Sequence, residues 1–321
     1  MKEIIIAENE AGQRLDKFLA KYLNEAPKSF FYKMLRKKNI VLNGKKATGN
    51  EKLNVGDCVK LFLADDTIEK FSSNKIQKAS ADLDIIYEDE HMMLINKPAG
   101  MLSQKADQKD ESLVEYLITY LLETGSITKD QLKTFHPSVC NRLDRNTSGM
   151  VAAGKSLAGL QKLSELFKDR SLKKYYRCLV KGQIKEKQYI KGYLYKDEKI
   201  NKVTVLTKAK VDSLPIETEY KPITVFNDCT LLEVHLITGR THQIRAHLAS
   251  VGHPIIGDYK YGNKRINDIY KNEFGVESQL LHAYRLEFPK LEGALGKVSE
   301  QKFIAKMPSL FTNIINIKKQ L

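Results

Sequence analysis

The stretch Asn141-Arg142-Leu143-Asp144-Arg145-Asn146-Thr147-Ser148-Gly149 sets one aspartate between two arginines, in a polar run rich in turn formers. Cations on both sides favour a charged carboxylate. A charged aspartate of this kind suits attack on an electrophilic carbon, with the arginines steering a phosphate. The plain alternative is an arginine–aspartate ion pair on a surface loop, which contributes little. Spacing alone leaves both open.

The sequence around this stretch mixes strand and helix signals. Leu83 to Tyr87 and Met92 to Asn96 read as two strands separated by Glu88-Asp89-Glu90. Leu160, Leu163 and Phe167 share one face of a helix expected from Ser156 to Lys168. Tyr175 to Val180 reads as a strand ending at Gly182. There a tyrosine among basic residues can either stack on a nucleobase or pack in a core. Leu232, Val234 and Leu236 alternate with Glu233 and His235, which predicts a half-buried strand. Thr238-Gly239-Arg240-Thr241-His242-Gln243-Ile244-Arg245 then opens a helix that stops at Gly252, and its start can offer N–H groups to a phosphate. His242, His247 and His253 are spaced five and six apart, unlike ligands at i and i+4, so no metal site is expected. Neither GxGxxG nor a Walker loop occurs, and no regular βαβ spacing or internal repeat. The expected class is α+β: a mixed, largely antiparallel sheet with flanking helices.

The first 64 residues read as a separate small unit. Leu15, Phe18, Leu19, Tyr22 and Leu23 form one helical stripe, and Pro27 breaks the chain. A second helix from Lys28 to Lys38 carries Phe30, Phe31, Met34 and Leu35 on one face and five cations elsewhere, with no acid. Ile40-Val41-Leu42 runs into Asn43-Gly44, a hairpin signal. Residues 65–80, DDTIEKFSSNKIQKAS, are polar and without period, and are expected to be a flexible linker. The larger unit then covers 81–321.

The 321 residues are enough for two domains, and no apolar run approaches the roughly 20 residues that span a bilayer. Lys and Arg number 53 against 39 Asp and Glu, a net charge of +14 that points to a polyanionic partner, nucleic acid first. Cys58, Cys140, Cys178 and Cys229 are dispersed, with no CxxC pair for a zinc ribbon or a disulfide framework. The opening MKEIIIAENEAGQRLDKF lacks a signal-peptide pattern, so the expected compartment is the reducing cytoplasm.

Two resemblances sharpen this reading. Arg14-Leu15-Asp16-Lys17-Phe18-Leu19, Ser29, Ile40 to Lys45 and Val55-Gly56-Asp57-Cys58-Val59 resemble an S4 RNA-binding domain. The resemblance implies RNA contacts from Arg14, Lys28, Ser29, Lys33, Arg36, Lys37, Lys38, Asn43 and Lys45. Further on, Glu88 to His91 with Ile95 to Gly100, Arg142 to Gly149, Lys174 to Gly182, Gly239 to His247 with Gly252-His253-Pro254 and Gly257-Asp258, and Leu281-His282-Ala283 come in an order that is similar to the RluA family of pseudouridine synthases. That resemblance implies isomerisation of uridine to pseudouridine in RNA, with 23S ribosomal RNA or a large-subunit precursor favoured by the S4 unit; such a reaction involves no redox change or external group, so no cofactor is expected, and a monomer is the simplest expectation. It places the nucleophile at Asp144, its partner arginine at Arg245 and a uracil-stacking tyrosine at Tyr176 rather than Tyr175. It also places base-flipping or RNA contacts at Arg142, Lys97, Arg145, Arg240 and His242. Asn141 stands where many members have histidine, and Cys178 where alanine is common. The competing readings are a non-catalytic S4-type RNA-binding or ribosome-assembly protein, and a base-excising glycosylase.

Overall fold

The computed structural model describes residues 1–72, 79–80, 82–107 and 109–320. The first unit runs β1 (Lys2–Ile5), α1 (Leu15–Tyr22), α2 (Lys28–Arg36), β2 (Ile40–Leu42), β3 (Lys45–Lys46), β4 (Cys58–Leu61) and α3 (Asp65–Phe71). Its sheet is antiparallel in the order β1-β4-β2-β3. The stripe of α1 is buried as its spacing predicts, against Phe31, Leu35, Ile40, Val59 and Leu61. Asn43 and Gly44 both take positive φ, 51° and 73°, which is the backbone a two-residue hairpin between β2 and β3 requires.

The stretch expected to be a flexible linker does not start as one. Its first seven residues form α3, with Asp65 and Asp66 in the first turn, where the helix dipole favours acids. Ile68 is buried, and the Phe71 ring lies 4.8 Å from that of Phe30. Two apolar residues three apart were enough to dock one short helix, too weak a pattern to read in a polar run. The rest of that stretch, residues 73–78, lies outside the described residues.

The second unit holds β5 (Ile85–Glu88), β6 (Met92–Lys97), α4 (Leu113–Glu123), β7 (Ser138–Val139), β8 (Ser148–Gly154), α5 (Leu157–Lys168), β9 (Lys173–Lys181) and β10 (Gln188–Asp197). It continues through β11 (Lys202–Leu206), β12 (Leu214–Val225), β13 (Cys229–Leu236), α6 (Gln243–Ser250), α7 (Lys264–Phe274), β14 (Leu281–Glu287), β15 (Lys302–Ile304) and α8 (Ser309–Gln320). Among the described residues its sheet runs β11-β10-β12-β13-β9-β14-β8-β6-β5, with β7 on β8 and β15 on β14. All these pairs are antiparallel except β14 with β8, so the sheet is mixed and largely antiparallel, as the sequence suggests. The two units touch: Thr134 Oγ1 donates to the buried Glu10 Oε1 at 2.6 Å, and the Leu157 N–H donates to Asn9 Oδ1 at 3.2 Å.

Strand β13 departs from the half-buried pattern read for it. Glu233 is only 6% exposed and takes ion pairs from Arg285 at 2.8 Å and Lys221 at 3.2 Å. His235 stacks on Tyr175 with ring centroids 4.7 Å apart. The neighbouring strands supply cations and an aromatic ring to cover the polar face, which alternation along one strand cannot reveal.

The parallel pair joins two distant motifs. Ser148 and Gly149 lie opposite His282 and Ala283, and Ser148 Oγ is 2.9 Å from His282 Nδ1. Gly149 has φ 110°, and a Cβ there would sit 2.3 Å from the Ala283 carbonyl oxygen. Gly149→Ala therefore has to push β8 and β14 away from each other, and stability to urea should fall by roughly 3 kcal/mol. A loss under about 1 kcal/mol, an ordinary surface effect, would show that β8 and β14 separate freely.

Candidate active site

Asp144 sits on the loop between β7 and β8, and its neighbours are pinned from both sides. Ser103 Oγ accepts from the Leu143 N–H and donates to the Leu143 carbonyl, both at 3.0 Å. Gly100 N–H donates to the Arg145 carbonyl at 2.9 Å, and Arg145 Nε returns a bond to the Gly100 carbonyl at 3.0 Å. Lys97, at the end of β6, is fully buried, and its Nζ donates to the carbonyls of Pro98 (2.8 Å), Met101 (2.8 Å) and Arg145 (3.1 Å). It thus ties the turn after β6 to the aspartate loop. Burial pulls its pKa down to about 7, with the charge of Asp144 opposing.

The partner of Asp144 comes from α6. Arg245 Nη1 donates to Asp144 Oδ2 at 2.8 Å. The rest of its guanidinium is locked by Asp258, which accepts from Nε at 2.7 Å and from Nη2 at 3.0 Å. Burial alone would lower the Arg245 pKa, but the hydrogen bonds and charges of Asp258 and Asp144 outweigh it and raise the value on balance. Asp258 is 1% exposed and also accepts from the backbone N–H groups of Lys260 and Tyr261. The start of α6 is set by Gln243, whose side-chain oxygen accepts from Thr238 Oγ1 and the Arg240 N–H. His242 caps the helix in the left-handed region at φ 52°.

His242 Nε2 lies 3.9 Å from Asp144 Oδ2, and its Nδ1 lies 2.8 Å from Tyr261 Oη. Burial holds the imidazole pKa below its usual value, with Asp144 opposing. Tyr261 also accepts from the Val203 N–H at 3.0 Å and lies under the Arg245 guanidinium. The other two histidines go elsewhere: His247 Nδ1 pairs with Thr218 Oγ1, and His253 Nδ1 with the Lys181 carbonyl. Among the described residues no cluster of His, Cys, Asp or Glu is placed to hold a metal.

Asp144, His242 and Arg245 line one cleft of about 1040 Å³ together with Tyr176, Arg142, Arg145 and Arg240. Tyr176 is buried on β9, and burial together with the Asp144 charge pushes its phenol well above the usual range, so the ring stays neutral. Tyr175 points to the other face, stacked between His235 and Arg285. Arg142 is exposed at the cleft and has no ion pair among the described residues. Arg240 is half-buried, and its Nε finds no hydrogen-bond partner. The cleft lining holds nine lysines and arginines against one carboxylate, Asp144, a surface made for a polyanion. Asp258 and Tyr261 are the residues that sequence reasoning missed as members of this site. Gly257-Asp258 offers a glycine–acid turn signal, but nothing local says that the acid turns back onto Arg245.

The geometry can be compared with known proteins. A family model described as RNA pseudouridylate synthase matches residues 91–250, and an S4 domain model matches residues 13–59. The ribosomal large subunit pseudouridine synthase C of Vibrio parahaemolyticus is 34% identical over 296 residues, spanning 88% of this chain and 87% of that protein. The chain belongs to the RluA family of RNA pseudouridine synthases. This pseudouridine synthase is 32% identical to the ribosomal large subunit pseudouridine synthase C of Escherichia coli K12, over 90% of its own length and 88% of that protein. An uncharacterised RNA pseudouridine synthase of Mycoplasma genitalium is 33% identical and aligns over 98% of both chains. The structure of human RNA pseudouridylate synthase domain containing 4 shares the fold, with a TM-score of 0.59 at 21% identity over 73% of this chain and 92% of that one. The synthase is thus an isomerase with an S4 domain at its N-terminal end.

The S4 unit places its expected contacts unevenly. Lys28, Ser29, Lys33, Arg36, Lys37, Lys38 and Lys45 are all exposed, on α2 and the hairpin beside it. Arg14 is exposed but engaged with Asp16 at 2.8 Å. The Asn43 amide is taken up by the turn: its nitrogen donates to Asp57 and its oxygen accepts from the Cys58 N–H, both at 2.8 Å. It shapes the hairpin on which Lys45 stands.

Proposed function

We propose that this synthase converts specific uridines of large-subunit ribosomal RNA to pseudouridine, with Asp144 as the nucleophile acting on a base turned out of its helix. The observation that carries the reading is the 2.8 Å bond from Arg245 to Asp144 at the floor of a cationic cleft that Tyr176 also lines. The reaction breaks the bond from C1′ to N1, turns the uracil and joins C5 to C1′, while N1 gains a proton and C5 loses one. Atoms and oxidation state balance, so the residues of this chain suffice. Asp144 either attacks C1′ directly or, in a glycal-type route, takes the C2′ proton as the C1′–N1 bond breaks and returns it when C5 joins C1′. Unstacking the base costs a few kcal/mol, on the order of what one inserted side chain can offset. Arg142, free at the cleft, is the side chain available to fill the gap. The neutral Tyr176 ring offers a stacking face worth about 1–3 kcal/mol. Its raised pKa keeps the resting phenol protonated.

The names of the curated relatives, the S4 unit and the basic face of α2 favour ribosomal over transfer RNA. The test is tritium release from transcribed 23S rRNA labelled at uracil C5, because C5 gives up its hydrogen when it becomes the glycosidic carbon. Release from rRNA and none from transfer RNA is expected. Release from transfer RNA alone would overturn the substrate, and appearance of free uracil would overturn the reaction.

A further inference from the structure

One wall of the cleft takes no role in the chemistry around Asp144. Lys174 lies two residues before Tyr176 on β9, so strand alternation puts both side chains on one face. It is 8% exposed. Among the described residues no carboxylate or carbonyl takes its ammonium; its neighbours are the Phe167 ring, 6.0 Å from Nζ, and the Arg170 guanidinium. Burial first, and Arg170 second, lower its pKa. A lysine this deeply placed without a counter-charge is unusual and costly. Lys168 and Arg170 stand beside it where the chain leaves α5, and all three line the cleft that holds Asp144. Arg170 takes φ 66° there, a conformation rare for a side chain of its size. The one acid between them, Asp169, is turned back on its own loop, accepting from the Ser171 N–H at 2.9 Å and Ser171 Oγ at 2.6 Å. Three cations are thus gathered and their nearest acid withdrawn, which leaves an anion's place open.

We propose that Lys168, Arg170 and Lys174 form a phosphodiester subsite that grips one backbone phosphate of the strand carrying the target uridine, and so sets which nucleotide reaches Asp144. The proposal rests on the RNA reading above and adds the register of the strand. A phosphodiester fits because the flanking cleft offers further cations and only Asp144 as an acid.

The test is phosphate-ethylation interference on a 23S rRNA transcript, comparing wild type, Lys174→Met, Arg170→Gln and, as a control on another helix, Lys271→Met. One ethylated phosphate that weakens wild-type binding should cease to matter in Lys174→Met and in Arg170→Gln, and should still matter in Lys271→Met. The two subsite variants should lose about one unit of salt slope in binding. Their KM should rise about tenfold, with the rate at saturating RNA kept within about twofold. Unchanged interference and slope in both variants would overturn the subsite, and so would a fall in saturating rate at constant KM. Arg170→Gln changes only an exposed side chain, so it decides the matter if Lys174→Met does not fold. Tritium release by the wild type is read in parallel: its absence would count against the assigned substrate, while the interference pattern still reports on the subsite.

Discussion

Asp144→Asn should abolish turnover and leave RNA binding intact or slightly tighter. The substitution keeps the shape of the side chain, and its oxygen can still accept from Arg245 Nη1, 2.8 Å away in the wild type. The loop is held by Ser103, Gly100 and Lys97 through backbone groups that the variant does not touch. What is lost is the charge of the proposed nucleophile, and losses of this kind cost at least about 10⁴-fold in rate, roughly 5 kcal/mol of barrier. Binding should move the other way. Asp144 is the lone carboxylate in a cleft otherwise lined by cations, so removing it takes away a repulsion toward phosphate. With the open cleft hydrated and the dielectric close to that of water, a phosphate about 6 Å away gains roughly 0.7 kcal/mol, a tightening of up to about threefold. The experiment pairs filter binding with tritium release on the same transcript. Turnover within about tenfold of wild type would remove Asp144 from the chemistry, and a large loss of binding would show that the loop, not the charge, had been disturbed.

What the sequence made legible follows from how far each signal reaches along the chain. The stripe of α1, the Asn43-Gly44 hairpin and the Ser156 start of α5 are local, and the structure has them all. The aspartate loop was legible as a motif, because Arg142, Asp144 and Gly149 sit within nine residues. Its partner was not, except through family resemblance, since Arg245 lies 101 residues further on. Strands β10 to β12 escaped notice because interspersed polar and charged residues leave few buried positions to mark a period. Strand β1 is only four residues long, and α3 hides in a polar run. Glu233 and Asp258 look like surface acids in sequence. Each is buried because a cation from another element meets it, and such pairings are set by topology rather than by neighbours.

Asp258→Ala should be the most damaging change outside the residues facing the cleft. The wild-type carboxylate is sealed from water and takes four hydrogen bonds, from Arg245 Nε and Nη2 and from the N–H groups of Lys260 and Tyr261. Removing it strands a buried guanidinium and two amides, a loss of about 3–5 kcal/mol in stability to denaturant. Rate should suffer separately. With Asp258 gone, only the Tyr261 ring and the single bond to Asp144 hold the guanidinium, Nη1 is less firmly placed, and misplacement on the order of 1 Å is worth about 10²-fold. The two effects can be separated by replacing the pair rather than breaking it. Arg245→Met with Asp258→Leu removes both members of the sealed pair, leaving only the partly exposed Asp144 and the Lys260 and Tyr261 amides without a partner, and much of the lost stability should return. Turnover should not return, because Asp144 has lost the donor that orients it. If the double variant were stable and active, the pair would be scaffolding alone. If Asp258→Ala by itself were as stable as wild type, water would have to reach the guanidinium, and the sealed arrangement around Arg245 would be wrong.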